Sequence, residues 1–122
     1  MSKIMVYLAG PMRGRTDGFP EFYQAAEYLR LAGFKVFNPP EKEEEVRLRS
    51  LPVGATIPLD FLRVAFALDT QWICKHADIV VLLPGWEKSK GATAEKALAE
   101  AIGLEVRFID PETGALTDAT AL

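Results

Sequence analysis

The sequence is poor in the residues on which several common kinds of site depend. One Cys and one His occur in 122 residues, so neither a disulfide framework nor a Cys/His zinc site can form within one chain. Lys and Arg are never concentrated in a run, and 17 acidic against 14 basic residues give a net charge of −3. This balance disfavours binding to a nucleic-acid polymer. With so little His and Cys, carboxylates are left to carry any acid–base or nucleophilic chemistry.

Long apolar runs are also lacking. No segment approaches the roughly 18 consecutive apolar residues of a membrane-spanning helix, and residues 1–8 are too short for a signal peptide. We therefore expect a cytoplasmic protein with no membrane partner. Its length and its 49% hydrophobic content predict one domain over residues 1–122. We expect it to need neither a metal nor an organic cofactor.

Short apolar runs alternate with helical patterns along the chain. The predicted strands are Ile4–Leu8, Lys35–Phe37, Ile79–Leu83 and Glu105–Ile109, and the predicted helices run from about Pro20 to Gly33, from near Thr56 to His76 and from Ala94 to Gly103. This alternation predicts an α/β fold, with a Rossmann-like or flavodoxin-like parallel sheet and helices on both faces. The expected strand order is 2-1-3-4, with or without a fifth strand. Residues 41–64 are predicted to form a lid or insert.

In such a sheet, ligands bind where the strand order reverses, so the loops after Leu8 and Leu83 should face one crevice. In the first loop, Gly10 and Gly14 would let backbone amides approach an anion, and Arg13 could contact a phosphate. An ordinary strand-to-helix turn with solvated arginines explains the same residues.

The second loop leads into the third helix. Ser89 lies near the helix start, where its hydroxyl could cap the helix or help to hold a phosphate. Trp86 either covers a base or sugar or packs the loop onto the helix. Glu95 falls on the helix stripe that faces the sheet, where a charge is rarely buried without a partner.

Asp69 is a second carboxylate on an apolar helix face, at the height of the binding edge of the sheet. An inner salt bridge for Glu95 and an N-cap at a helix break for Asp69 are the alternative explanations. Two carboxylates that converge beside a phosphate cradle suggest cleavage at an anomeric carbon, with one group as nucleophile and the other serving the leaving group.

Four segments resemble one known family. They are Tyr7-Leu8-Ala9-Gly10-Pro11-Met12-Arg13-Gly14, Phe37-Asn38-Pro39, Asp69 with Ala77-Asp78-Ile79-Val80, and Gly85-Trp86-Glu87-Lys88-Ser89-Lys90-Gly91-Ala92 with Glu95. In this order they resemble the nucleoside 2-deoxyribosyltransferase superfamily, most closely its small phage and bacterial members. The resemblance implies that Glu95 is the nucleophile, that Tyr7 orients it, and that Asp69 supports protonation of the leaving nucleobase. The expected substrate-binding residues are Gly10, Met12, Arg13, Gly14, Asn38, Trp86, Ser89 and Gly91.

Ser89 indicates which group of enzymes within this superfamily the sequence resembles more. The sequence Ser89-Lys90-Gly91 is similar to that of 2′-deoxynucleoside 5′-monophosphate N-hydrolases, whereas the transferases commonly have an acidic residue at this place. A carboxylate there would repel a 5′-phosphate. We therefore expect hydrolysis of a small-molecule deoxynucleotide. The family resemblance also implies a homodimer or larger homo-oligomer. The alternatives are base exchange by a deoxyribosyltransferase and a non-catalytic nucleotide sensor or phage accessory protein.

Overall fold

The computed structural model describes residues 3–42 and 59–118, with side chains from 62 onward in the second segment. Five strands form one sheet: β1 (Met5–Ala9), β2 (Lys35–Phe37), β3 (Ile79–Leu82), β4 (Glu105–Ile109) and β5 (Leu116–Asp118). Three helices pack on the sheet: α1 (Pro20–Leu31), α2 (Leu59–His76) and α3 (Lys90–Ala101), and a 3₁₀ turn spans Trp86–Lys88. Residues 39–42 are also helical. Most of the predicted lid, residues 41–64, lies outside the described residues.

The strand order is β2-β1-β3-β4-β5. The first four strands are parallel, and β5 pairs antiparallel with β4. The predicted α/β sheet is thus confirmed, and it has a fifth strand. The chain reaches β5 through a tight turn, in which the Gly114 amide donates to the Asp110 carbonyl at 2.7 Å.

Side chains on β1 alternate between the two faces of the sheet, as the pleat requires. Val6 and Leu8 pack with α1 in one buried cluster. Tyr7 and Ala9 point to the other face, where the buried cluster includes Ile73 of α2 and residues of α3. A side chain on β1 therefore faces either α1 or the pair of helices α2 and α3.

The starts of the helices follow from local chemistry. Helix α1 begins with Pro20, which supplies a suitable φ and needs no amide donor, after Phe19 in a left-handed conformation (φ 56°). Helix α3 begins after Ser89, whose Oγ accepts a hydrogen bond from the Ala92 amide at 3.1 Å. Such a cap is worth about 1 kcal/mol.

Candidate active site

The loops after β1 and β3 meet at the carboxyl edge of the sheet. The Leu83 amide donates to the Ala9 carbonyl at 2.8 Å. A β-carbon on Gly85 would lie 3.2 Å from Cγ of Pro11. The two loops therefore share one edge and touch, as predicted for the point where the strand order reverses.

Three polar side chains converge beneath these loops. Tyr7 of β1 is buried between α2 and α3, and its hydroxyl donates to Oε2 of Glu95 at 2.6 Å. Asp69 of α2 lies beside the same phenol, since its charge and a hydrogen bond with it both raise the pKa of Tyr7. Two carboxyl groups that approach one phenol are near each other, as the carboxyl pair of a retaining glycosidase is.

Both carboxylates are buried. Asp69 retains 8% of its exposure and Glu95 retains 6%. Helix α2 is continuous from Leu59 to His76, so the break that would have made Asp69 an N-cap does not exist. Their burial at one tyrosine is the site's most unusual feature, because charged groups seldom leave water without a role or a partner.

The phenol of Tyr7 stays neutral in this environment. Burial raises the pKa of Tyr7 well above its usual value of 10.0, and the charges of Glu95 and Asp69 raise it further. The ring is fixed by neighbours on the same face: it stacks on Phe37 at 5.4 Å between centroids and lies 6.3 Å from the ring of Trp72. Tyr7 is therefore a rigid hydrogen-bond donor to Glu95.

The start of α3 lies one helical turn above Glu95. Since the Oγ of Ser89 accepts its bond from Ala92, the hydroxyl hydrogen is still available as a donor. Gly91 precedes Glu95 by four residues and so lies on the same helix face. A β-carbon on Gly91 would be 3.9 Å from the Ser89 Oγ and 4.0 Å from Cε1 of Phe66. Ser89 and Gly91 thus lie at the start of α3, one turn nearer the carboxyl edge of the sheet than Glu95.

The β1–α1 loop is organised around Arg15, a residue that no sequence motif singled out. Arg15 donates to the Pro11 carbonyl at 2.8 Å, to Oδ2 of Asp17 at 2.7 Å and to both oxygens of Glu21. These bonds lower the pKa of Glu21 and that of Asp17. Arg15 therefore stabilises the conformation of this loop.

Arg13 lies near the tip of that loop. It is exposed, and within the described part of the chain it has neither a hydrogen-bond nor an ion-pair partner. Gly14 beside it has a left-handed φ of 79° and open space around its β position. Gly10 is needed for packing, since a β-carbon there would lie 3.0 Å from that of Leu83.

Two predicted contacts are not brought to the carboxylates. The side chain of Met12 packs against the core cluster on the α1 side. Asn38 is buried; its amide donates to Glu41, which in turn pairs with Arg30 of α1. The pairing with Arg30 places this group of side chains towards α1. The side chains of Met12 and Asn38 therefore lie on the opposite face from Tyr7.

Trp86 is placed in a packing role. Its ring stacks on Phe108 of β4 with 6.0 Å between centroids, and the ammonium of Lys96 lies 5.5 Å from the ring centroid. Strand β4 is two strands away from β1. This is the packing alternative that the sequence left open for Trp86.

No metal centre is evident where side chains are described. Within residues 3–42 and 62–118, no three His, Cys, Asp or Glu side chains are grouped to hold a metal ion. Over the same described segments, no helix is long and apolar enough to cross a membrane.

Comparisons with known proteins agree with this architecture. A solved structure of the 2-deoxyribosyltransferase from the psychrotolerant bacterium Bacillus psychrosaccharolyticus is similar, with a TM-score of 0.64 and 23% identity over 88% of this chain and 72% of that one. The fold is thus that of a deoxyribosyltransferase. No curated protein matches the sequence. A family profile described as a domain of unknown function, DUF4406, matches residues 4–108. The chain belongs to the DUF4406 family.

Proposed function

We propose that the protein hydrolyses the N-glycosidic bond of 2′-deoxynucleoside 5′-monophosphates. The observation that carries this proposal is the pair of buried carboxyl groups, Glu95 and Asp69, at the single phenol of Tyr7. The likeness to a solved 2-deoxyribosyltransferase supports chemistry at the anomeric carbon of a nucleoside. Free base and 2-deoxyribose 5-phosphate are the products.

The hydrogen-bonding capacity of Tyr7 suggests how the two carboxyl groups divide their roles. A phenol has one proton, and Tyr7 donates it to Glu95. Because this bond holds Glu95, we assign the nucleophile to Glu95 and the acid that serves the leaving base to Asp69. Two-carboxylate glycosyl chemistry requires this division of roles.

The reaction then proceeds in two displacements. An oxygen of Glu95 attacks C1′ of the sugar, the bond from C1′ to the base nitrogen breaks, and its electron pair leaves with the base. Asp69 donates its proton to that base. Water next attacks C1′ of the glutamyl ester, returning the carboxylate of Glu95, and the water proton passes to Asp69.

The start of α3 and the neighbouring β1–α1 loop supply the preference for a phosphate. The first-turn amides of α3 that the Ser89 cap does not use, together with the hydroxyl of Ser89, would donate to an anion at the helix start, where the helix dipole is favourable. Gly91 leaves space for close approach, and Arg13 is an uncommitted cation on the neighbouring loop. The phosphate would be held one turn above the nucleophile.

The test is a panel of deoxynucleoside monophosphates and the matching deoxynucleosides, with released base measured by chromatography. Glu95→Ala should abolish base release. Glu100→Ala is the matched control, because Glu100 is an exposed glutamate on the same helix that pairs with Lys96. Base release undiminished in Glu95→Ala would refute the mechanism.

Transfer of deoxyribose to a second base is the other candidate, and it is favoured by the similarity in fold to a 2-deoxyribosyltransferase. A new nucleoside formed on adding a second base, with unphosphorylated substrates preferred, would establish it. Tight nucleotide binding without any product would instead indicate a non-catalytic sensor or accessory protein.

A further inference from the structure

Phe66 of α2 is an aromatic residue on the inward side of its helix that does not enter the core. It precedes Ile73 by seven residues, or about two turns, so the two side chains share a helix face. Ile73 is fully buried at 0% exposure, whereas Phe66 retains 40%. The ring of Phe66 therefore extends from the inward face into space above the core.

That space lies towards the carboxyl edge of the sheet. Phe66 precedes Asp69 by three residues and lies one turn nearer this edge. Its Cε1 is 4.0 Å from the β position of Gly91, which lies one turn before Glu95 on α3. One edge of the ring therefore contacts the start of α3, and the rest of the ring remains partly exposed beside the two carboxyl groups.

We propose that Phe66 is the binding platform for the nucleobase, an inference that rests on the proposed function. If the leaving base takes a proton from Asp69, its ring must lie within one helical turn of Phe66. Purines and pyrimidines both present a flat π-surface that stacks on an aromatic side chain with little regard to sequence. The platform would bind the base and leave the sugar phosphate to Ser89, Gly91 and Arg13.

Affinities measured with an inactive variant distinguish the contribution of the base from that of the rest of the ligand. In the Glu95→Gln protein, which cannot form the glycosyl ester, affinities for the four common deoxynucleoside monophosphates and for 2-deoxyribose 5-phosphate are measured by calorimetry. Phe66→Ala should weaken binding of the best nucleotide by roughly 5- to 150-fold. It should leave the affinity for 2-deoxyribose 5-phosphate within about twofold, because that ligand has no base.

Two further variants make the test specific. Leu68→Ala removes a side chain of the same helix that is 50% exposed and should change neither affinity. Phe66→Tyr keeps the aromatic face and should restore most of the nucleotide affinity. Thermal melting confirms that each variant is folded.

The outcomes distinguish this inference from the function on which it rests. Equal weakening of nucleotide and base-free ligand, or no weakening of either, in folded Phe66→Ala would overturn the platform and leave the reaction untouched. If the Glu95→Gln parent binds neither class of ligand, the proposed function fails and the platform fails with it.

Discussion

Replacing Tyr7 by Phe removes one oxygen atom from the centre of the site. The ring should keep its position, because it stacks on Phe37 and lies beside Trp72 in the core. Glu95 loses the 2.6 Å hydrogen bond and remains buried. Hydrogen bonds to charged groups are worth about 1.5–3 kcal/mol. If the bond holds the nucleophile in its attacking position, kcat/KM should fall by about 10- to 150-fold.

The assay compares initial rates of base release in wild type, Tyr7→Phe and Tyr28→Phe. Tyr28 is the matched control, since its hydroxyl is exposed and donates to a backbone carbonyl, that of Glu112, at 2.8 Å. In a Glu95→Ala background, Tyr7→Phe should have no further effect, because the group it positions is gone. A Tyr7→Phe protein with the wild-type kcat/KM would refute the positioning role.

The free energy of unfolding at alkaline pH independently tests whether Tyr7 is buried as a neutral phenol. Burial raises the folded-state pKa of Tyr7 well above 10.0, whereas the unfolded chain ionises near that value. The stabilisation is therefore complete below pH 10 and is lost as pH rises towards the folded pKa. Tyr7→Phe lacks this group, so urea titrations above pH 10 should show a shallower loss of stability than in wild type. An identical slope would contradict the burial of a neutral phenol.

Three other predictions address the loops. Ser89→Ala should lower stability by about 1 kcal/mol through loss of the helix cap; Ser89→Asp should keep the cap but raise KM for a monophosphate and not for the nucleoside, as steady-state kinetics would show. Arg15→Gln should lower the free energy of unfolding by about 0.5–1 kcal/mol at pH 7. Because Arg15 lowers the folded-state pKa of Glu21, this loss of stability should be complete above about pH 4.5 and should shrink as pH falls through the lowered pKa. Urea titrations of both proteins at pH 7 and pH 3 would test this. Gly114→Ala should destabilise more than Gly103→Ala by about 1–3 kcal/mol in chemical unfolding: both glycines have left-handed φ, but only at Gly114 would the new carbon lie 2.7 Å from an aromatic ring. Equal losses for the two glycines would rule out the clash.

The fold was largely predictable because its strands are short, buried and apolar. Lys35–Phe37 and Glu105–Ile109 have the predicted bounds, and the other predicted elements of the sheet differ by a residue at their ends. Strand β5 gave a weaker signal. Its three residues, Leu116–Asp118, are mostly exposed and polar, so hydrophobic periodicity could not distinguish them from a tail.

The candidate site was partly predictable, for a different reason. The helical pattern of a single segment shows when a charged residue falls on the inward face, and this pattern identified Asp69 and Glu95. The bond between Tyr7 and Glu95 joins residues 88 positions apart, so only the assembled sheet brings them together. The resemblance to deoxyribosyltransferases, and not the helical pattern, pointed to Tyr7.

The remaining differences concern the direction of side chains. Asn38 directly follows β2, and its contact with Glu41, which pairs with Arg30, places it on the α1 side. Phe37, one residue earlier, packs instead with Trp72 of α2, at 4.9 Å between ring centroids. Only the tertiary contacts show which of these two faces Asn38 takes. A phenylalanine in an apolar helical stripe is typical of a core residue. Only the exposure of Phe66 in the folded structure distinguishes it from the core.

The position of Tyr7 would link the proposed activity to the integrity of the whole domain. Tyr7 belongs to β1, which lies between β2 and β3 inside the sheet, and its backbone is paired with both neighbours. Local opening of a loop cannot move this hydroxyl, since central strands exchange their amides only through the largest unfolding events. The position of this donor is thus set by the most stable part of the molecule. Warming should therefore leave the donor in place until the domain itself unfolds.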